Sequence, residues 1–148
     1  MPMVLFACLS LLVATTLIHY EVLGLMNRHL SRAPVRARAR LVIVIFVAFL
    51  AHTLEILLYA ATLYLLARFG KLGHLGDAGR FSFDVSLYFS AETYTSLGYG
   101  DVVPKGDLRL MAGVEALNGL LLIGWSASYT YIAMERFWGE SGKKALKT

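Results

Sequence analysis

Seven consecutive residues in the second half of the chain have the composition expected of a site for a bare cation. The stretch covers residues 95–101 and reads Thr-Ser-Leu-Gly-Tyr-Gly-Asp. Glycine adopts backbone conformations that other residues avoid, so Gly98 and Gly100 allow a turn in which several carbonyl oxygens face one axis. Rows of such carbonyls, with a hydroxyl beneath them, replace the water around a dehydrated cation. The stretch therefore indicates an ion site built mainly from backbone.

The same stretch resembles the selectivity filter of the potassium-channel family, whose usual sequence is Thr-Val-Gly-Tyr-Gly-Asp. The resemblance covers roughly residues 41–136. It implies that dehydrated K⁺, the transported ion, is bound by four backbone carbonyls and the hydroxyl of Ser96, without an organic cofactor. The residues implied in ion binding are Ser96, Leu97, Gly98, Tyr99 and Gly100, with K⁺ held at the first four. A ring of carbonyls needs several copies, and the resemblance implies a homotetramer.

Two positions depart from the family's usual filter, and they leave the choice of function open. Ser96 replaces a threonine and loses the methyl group that restrains the rotamer. Leu97 replaces a valine, and its longer side chain must pack behind the filter. Three candidate functions remain: a potassium-selective channel, a weakly selective cation channel of the same architecture, and a non-conducting scaffold or accessory subunit. We do not expect an enzyme, because no nucleophile–base pair, HExxH motif or phosphate-binding loop occurs.

A short apolar and aromatic segment, residues 84–95, precedes the filter. At 1.5 Å per residue it reaches only about halfway across a bilayer, so we expect a re-entrant pore helix capped by Ser82 or Asp84. The filter-supporting residues expected here and just after the filter are Tyr88, Phe89, Glu92, Tyr94, Thr95 and Asp101. In the family, aromatic residues here surround the filter tyrosine, and an acid at the Glu92 position shares a proton with the aspartate. The alternative for the aromatic residues is plain helix packing, and the alternative for Glu92 is an acid that points into extracellular water.

The composition is that of a membrane protein, with 57% hydrophobic and 16% charged residues. Residues 3–26, 41–67 and 108–134 are apolar runs long enough to cross a hydrocarbon core of about 30 Å. We therefore predict an all-α membrane protein with three transmembrane helices, a re-entrant pore helix and a filter loop. Residues 1–40 would form an extra helix and a basic loop, 41–136 the pore domain with an extracellular loop at 68–83, and 137–148 a cytoplasmic tail.

The basic residues predict the orientation of these spans. The loop from Asn27 to Arg40 and the tail from Glu135 together hold nine of the 14 Lys and Arg residues, against five on the other side. The side richer in Lys and Arg is usually cytoplasmic. We expect a multi-pass protein of the bacterial inner (plasma) membrane with its amino terminus outside, its carboxyl terminus inside and its filter outward. The basic loop could attract anionic lipids, and we expect no nucleic acid partner.

The last span is expected to line the pore. Gly119 lies where related inner helices carry a hinge glycine, and close helix packing is an equal alternative. Helical spacing from Gly119 turns Leu120, Ile123, Ala127 and Tyr131 toward the pore axis.

Two pairs of polar residues spaced three apart fall inside the predicted spans, and His19 and Glu21 lie toward the inner end of the first span. His52 and Glu55 share one face of the second span, and Glu115 and Asn118 share one face of the third. Polar groups in lipid are costly, so each should face protein and be paired or neutral. They predict either hydrogen-bonded contacts between spans or a proton-sensitive network that reaches the pore helix. Metal binding by His52 and Glu55 is not favoured, because the sequence shows no further ligand.

Overall fold

A computed structural model describes residues 1–30, 36–70, 72–76 and 82–145 of the chain, and side-chain surroundings up to residue 137 apart from residue 37. Four helices follow one another: α1 (Pro2–Leu30), α2 (Ala37–Phe69), α3 (Phe83–Tyr94) and α4 (Leu108–Ala145). The described residues contain no strand, only one isolated bridge. The all-α fold is confirmed.

Three of the helices are long and apolar enough to cross a membrane, with qualifying spans at Pro2–Leu30, Arg38–Phe69 and Leu108–Phe137. The chain is therefore a membrane protein with three such helices, as predicted. The fourth helix, α3, has 12 residues. At 1.5 Å per residue it is about 18 Å long, well short of a hydrocarbon core of about 30 Å.

The long helices extend beyond the predicted apolar runs. α1 continues to Leu30, α4 continues to Ala145, and α2 begins at Ala37, so that Arg38 and Arg40 are helical instead of lying in a loop. Arg and Lys are good helix formers, so a helix need not stop where it leaves the apolar layer. Residues 31–35 of the basic loop, which include Pro34, lie outside the described part, as do residues 71 and 77–81 of the predicted extracellular loop.

The contacts at the helix ends define the relative directions of the helices. Near the start of α1, Met3 lies beside Gly70 at the end of α2, where a methyl group added to the glycine would be 3.0 Å from the Met3 Cε. At the opposite end, Arg136 Nη1 of α4 donates to Asn27 Oδ1 of α1 over 3.4 Å. α1 and α4 therefore run in the same direction and α2 runs against them.

Two apolar clusters hold the helices together, one at each end of the bundle. The cluster nearer the start of α1 includes Cys8, Leu63, Phe89 and Met111, and the other includes Leu23 and Val44 with residues from the end of α4. The first cluster joins all four helices, including α3. It places α3 between α2 and α4, with its carboxyl end pointing into the bundle.

The loops before α3 and after residue 101 meet at the same end of the bundle. Lys105 N–H donates to the His74 carbonyl and Asp107 N–H to the Leu72 carbonyl, both over 2.9 Å. Ser82 caps the start of α3, and its hydroxyl accepts from Val85 N–H over 3.4 Å. This is the helix cap expected from the sequence.

Candidate functional site

The backbone of residues 96–100 alternates in handedness. Ser96, Gly98 and Gly100 have φ values of 57°, 58° and 83°, and of the described residues other than glycine only Ser96 has a positive φ. Glycine tolerates this region without cost, whereas serine does not. A methyl group at Gly98 or Gly100 would meet no atom of the chain within 4 Å. The two glycines are therefore required by backbone conformation rather than by lack of space.

The amide hydrogen bonds of this segment show where two of its carbonyls point. Leu97 N–H donates to the Glu92 carbonyl over 2.9 Å, and Tyr99 N–H donates to Glu92 Oε1 over 3.0 Å. In a trans peptide the carbonyl of the preceding residue points opposite to the N–H. The Ser96 and Gly98 carbonyls therefore both point away from α3, toward the exposed side of the segment.

Glu92 and Asp101 accept from different donors. The Glu92 side chain is 5% exposed and receives the Tyr99 amide. Asp101 Oδ1 accepts from the Tyr88 hydroxyl over 3.2 Å and from Val102 N–H over 3.1 Å. Within the single chain, no hydrogen bond joins the two carboxyls among the described residues, so the direct contact expected from the sequence is not formed there. Tyr88 lies close to both acids.

The Tyr88 hydroxyl acts as a donor over the physiological pH range. Loss of water contact, followed by the hydrogen bond to the Asp101 carboxylate, raises the pKa of Tyr88 to about 12. The hydroxyl therefore keeps its proton at neutral pH and can hold Asp101 beside the filter.

The remaining aromatic and hydroxyl residues of α3 point in different directions. Phe89 is buried in the apolar cluster, and Thr95 Oγ1 donates to the Ala91 carbonyl over 2.7 Å. The Tyr94 hydroxyl donates to Glu55 on α2, away from Tyr99. Tyr99 is 69% exposed, and its hydroxyl has no partner among the residues that the structure describes. Any partner for that hydroxyl must come from outside the described residues.

Gly119 is a position of close contact between α4 and α3. A methyl group there would lie 2.1 Å from the Tyr94 carbonyl oxygen. Nothing larger than glycine fits while α3 stays in place. Of the two interpretations left open by the sequence, this geometry favours close packing over a hinge. By contrast, a methyl group added to Gly124 would meet no described atom within 4 Å.

The residues expected to line a pore do not all share one environment. Leu120, Ala127 and Tyr131 are exposed in the single chain, as pore-lining or subunit-contacting residues would be. Ile123 is half-buried against the apolar cluster that includes Tyr94. Gly119 is buried, so it does not lie on the exposed face.

A buried network links α1, α2, α3 and α4, and we call it the histidine network: His19, His52, Glu55, Tyr94 and Ser126. Glu55 Oε1 meets His19 Nδ1 at 2.9 Å, and Glu55 Oε2 meets His52 Nδ1 at 3.1 Å and accepts from Tyr94. His52 Nδ1 also lies 2.9 Å from the Tyr94 oxygen. Ser126 Oγ lies 3.1 Å from His52 Nε2 and 3.0 Å from His19 Nε2.

The sequence shows no further metal ligand near His52 and Glu55, but the structure brings a third one beside them. His19 brings a third ligand atom, and the three lie within 4.8 Å of one another. Two histidines and a carboxylate are a donor set that zinc uses. However, both histidine nitrogens already lie at ordinary hydrogen-bond distances from the Glu55 carboxylate, so no metal is needed to hold the three side chains together.

The second intramembrane pair is buried in separate contacts. Asn118 donates to Thr15 Oγ1 over 2.8 Å and to the Tyr59 hydroxyl over 3.2 Å. Glu115 accepts from the Ser90 hydroxyl through one oxygen, while its other oxygen has no partner among the described residues. Both residues face protein, as their cost in lipid requires.

A family model described as an ion channel matches residues 41–136, about two thirds of the chain. The chain belongs to the ion channel family. The matched part of the channel begins within α2 and does not include α1. No curated protein and no solved structure gives a significant match to the channel.

The sequence singled out His19 as a buried polar residue but did not identify its partners, and it missed Ser126. His19 is a histidine within an apolar run, which is itself a signal for a buried partner. Ser126 carried no signal, because a serine hydroxyl is common in membrane helices and is satisfied by the backbone of its own helix. The channel's buried polar contacts are therefore denser around α3 than the sequence indicates.

Proposed function

We propose that the chain is the subunit of a homotetrameric, potassium-selective channel that conducts K⁺ passively. The observation that carries this proposal is the backbone of residues 96–100. Its alternating handedness and the outward direction of the Ser96 and Gly98 carbonyls suit a row of oxygens that replaces the hydration shell of K⁺. Ser96, Leu97, Gly98 and Tyr99 would supply the ligands, and Gly100 would permit the last turn.

What the single chain leaves uncovered supports a tetramer. One segment presents carbonyls on one side only, so a dehydrated ion needs the same segment from other subunits around an axis. Leu97 and Tyr99 are 59% and 69% exposed in the isolated chain, which suits side chains that pack against a neighbouring copy. α3 would act as a re-entrant pore helix, since it is too short to span the membrane and leads directly into the filter.

The charges at the two ends of the bundle support the predicted orientation. The end opposite the filter carries Arg28, Arg38, Arg40 and Arg136, and it would face the cytoplasm. The filter and the amino terminus would then face outward from the plasma membrane, and anionic lipids would contact the arginines. No catalytic activity is proposed.

The proposal is tested with purified protein in liposomes loaded with K⁺. We expect passive K⁺ efflux and a particle mass of four chains. Gly98→Ala should abolish selective efflux, because alanine disfavours positive φ by about 1–2 kcal/mol while the site offers it room. Equal Na⁺ and K⁺ fluxes would favour a weakly selective cation channel. A folded protein without flux under any condition would favour the non-conducting scaffold.

A further inference from the structure

The contacts of the histidine network determine how many protons it holds. A neutral imidazole has one N–H and one bare nitrogen. With Glu55 ionised and each imidazole carrying its hydrogen on Nδ1, both Nδ1–H groups point to the carboxylate, so the two Nε2 nitrogens of His19 and His52 are bare and both face Ser126. The serine hydroxyl has one hydrogen and satisfies only one of them. The other contact needs a further proton.

One additional proton completes every contact. If one histidine is doubly protonated, its Nε2–H donates to Ser126, and the serine donates to the other Nε2. If the proton lies on Glu55 instead, the two imidazoles adopt opposite tautomers, and the count is the same. In both arrangements the network has no net charge. A second additional proton would leave an uncompensated positive charge inside the membrane, which is costly.

Among the described residues, the groups around the network do not supply a positive charge that could replace this proton. The titratable groups that face it are His19 from α1, His52, Glu55 and Tyr59 from α2, Tyr94 from α3 and Glu115 from α4. The side chains of His19 and Glu55 are fully buried, and that of His52 is 17% exposed. The proton is therefore held by the network's own members.

Tyr94 connects this network to the filter. It is the last residue of α3, and Ser96 follows it by two positions. Its hydroxyl is held by Glu55 and His52, while its carbonyl lies against Gly119. The carboxyl end of α3 is thus fixed from two sides just before the first carbonyl of the filter.

We propose that one proton shared by His19, His52 and Glu55 holds Tyr94 in place and so positions the filter, which makes α1 a part of the filter's support. This inference rests on the proposed function. When pH rises far enough to remove the proton, the network gains a negative charge and one of its contacts loses its hydrogen. Tyr94 is then less firmly held, and current through the filter becomes less stable. The effect is complete at high pH and absent at low pH.

The test is the pH dependence of current decay during sustained opening, recorded with the same pH on both sides of a bilayer. For the wild type we expect faster decay as pH rises, following the loss of about one proton. His19→Phe should decay fast at every pH. His19→Asn should slow the decay again without restoring the pH step, because an amide nitrogen near the Nδ1 position donates to Glu55 but does not titrate.

A matched control separates filter support from general stability. Thr15→Val removes another buried hydrogen bond from α1, the one from Asn118, which does not belong to the histidine network. It should keep the wild-type pH profile. If His19→Phe does not assemble into tetramers, Glu55→Gln replaces it, since it keeps the shape of the side chain and should also remove the pH step.

Three results would overturn the inference while leaving the proposed function intact. They are wild-type decay that does not depend on pH, a wild-type pH profile in His19→Phe or Glu55→Gln, and one bound transition-metal ion per subunit in purified protein. The last would assign the donor set to a metal instead of a proton. Absence of selective K⁺ current from the wild type at any pH would instead refute the proposed function, and this inference with it.

Discussion

Replacing Gly119 by alanine should displace α3 and destabilise the channel. The added methyl group would lie 2.1 Å from the Tyr94 carbonyl oxygen, whereas carbon–oxygen contacts between helices are about 3.3–3.6 Å. The two helices must therefore separate by about 1 Å or more. Overpacking of this kind costs about 1–3 kcal/mol per site, well above the gain of up to about 1 kcal/mol from alanine's better helix propensity.

The assay is thermal unfolding of the purified protein, followed by recording of its currents. Gly124→Ala is the matched control on the same helix, because a methyl group there meets nothing in the chain. We expect Gly119→Ala to lower the unfolding temperature and to impair selectivity, since Tyr94 leads directly into the filter. Gly124→Ala should be neutral or slightly stabilising. If Gly119→Ala is as stable and as selective as wild type and changes only the open probability, the packing argument is wrong and the hinge interpretation is correct.

Three further predictions concern the filter and its support. Glu92→Ala should leave the Tyr99 amide unpaired at a cost of about 1–3 kcal/mol and speed current decay, whereas Glu92→Gln keeps an acceptor and should have the smaller effect; equal effects would contradict this. Tyr88→Phe should loosen Asp101 and change the rate of current decay. The difference in decay rate between Tyr88→Phe and the wild type should not vary with pH up to about 11 through Tyr88 itself, because its hydroxyl keeps its proton there. Gly100→Ala should reduce K⁺ selectivity without lowering the amount of tetramer, as judged by ion flux and chromatography.

The membrane spans could be predicted from the sequence because bilayer thickness determines the length of an apolar run. All three spans, and the cap of α3 at Ser82, are found where the pattern indicates them. The helix ends could not be predicted equally well. A change in hydropathy marks the limit of the lipid layer, whereas α4 continues as a helix to Ala145 beyond it.

The buried contacts between helices could be predicted only in part. That His52 and Glu55 face protein followed from the cost of polar groups in lipid. The contact between His19 and this pair could not be predicted in the same way. His19 and Glu55 are 36 positions apart and meet only through the rotation of α1 against α2. The role of Gly119 also depends on such packing, since the sequence allows a hinge and a close approach equally.

The central claim is that peptide carbonyls from identical subunits replace the hydration shell of K⁺. The most direct test is the reversal potential of purified protein in a bilayer with K⁺ on one side and Na⁺ on the other. We expect a large reversal potential whose sign corresponds to preferential movement of K⁺, and its loss in Gly98→Ala. A reversal potential near zero in the wild type, with measurable current, would contradict the account.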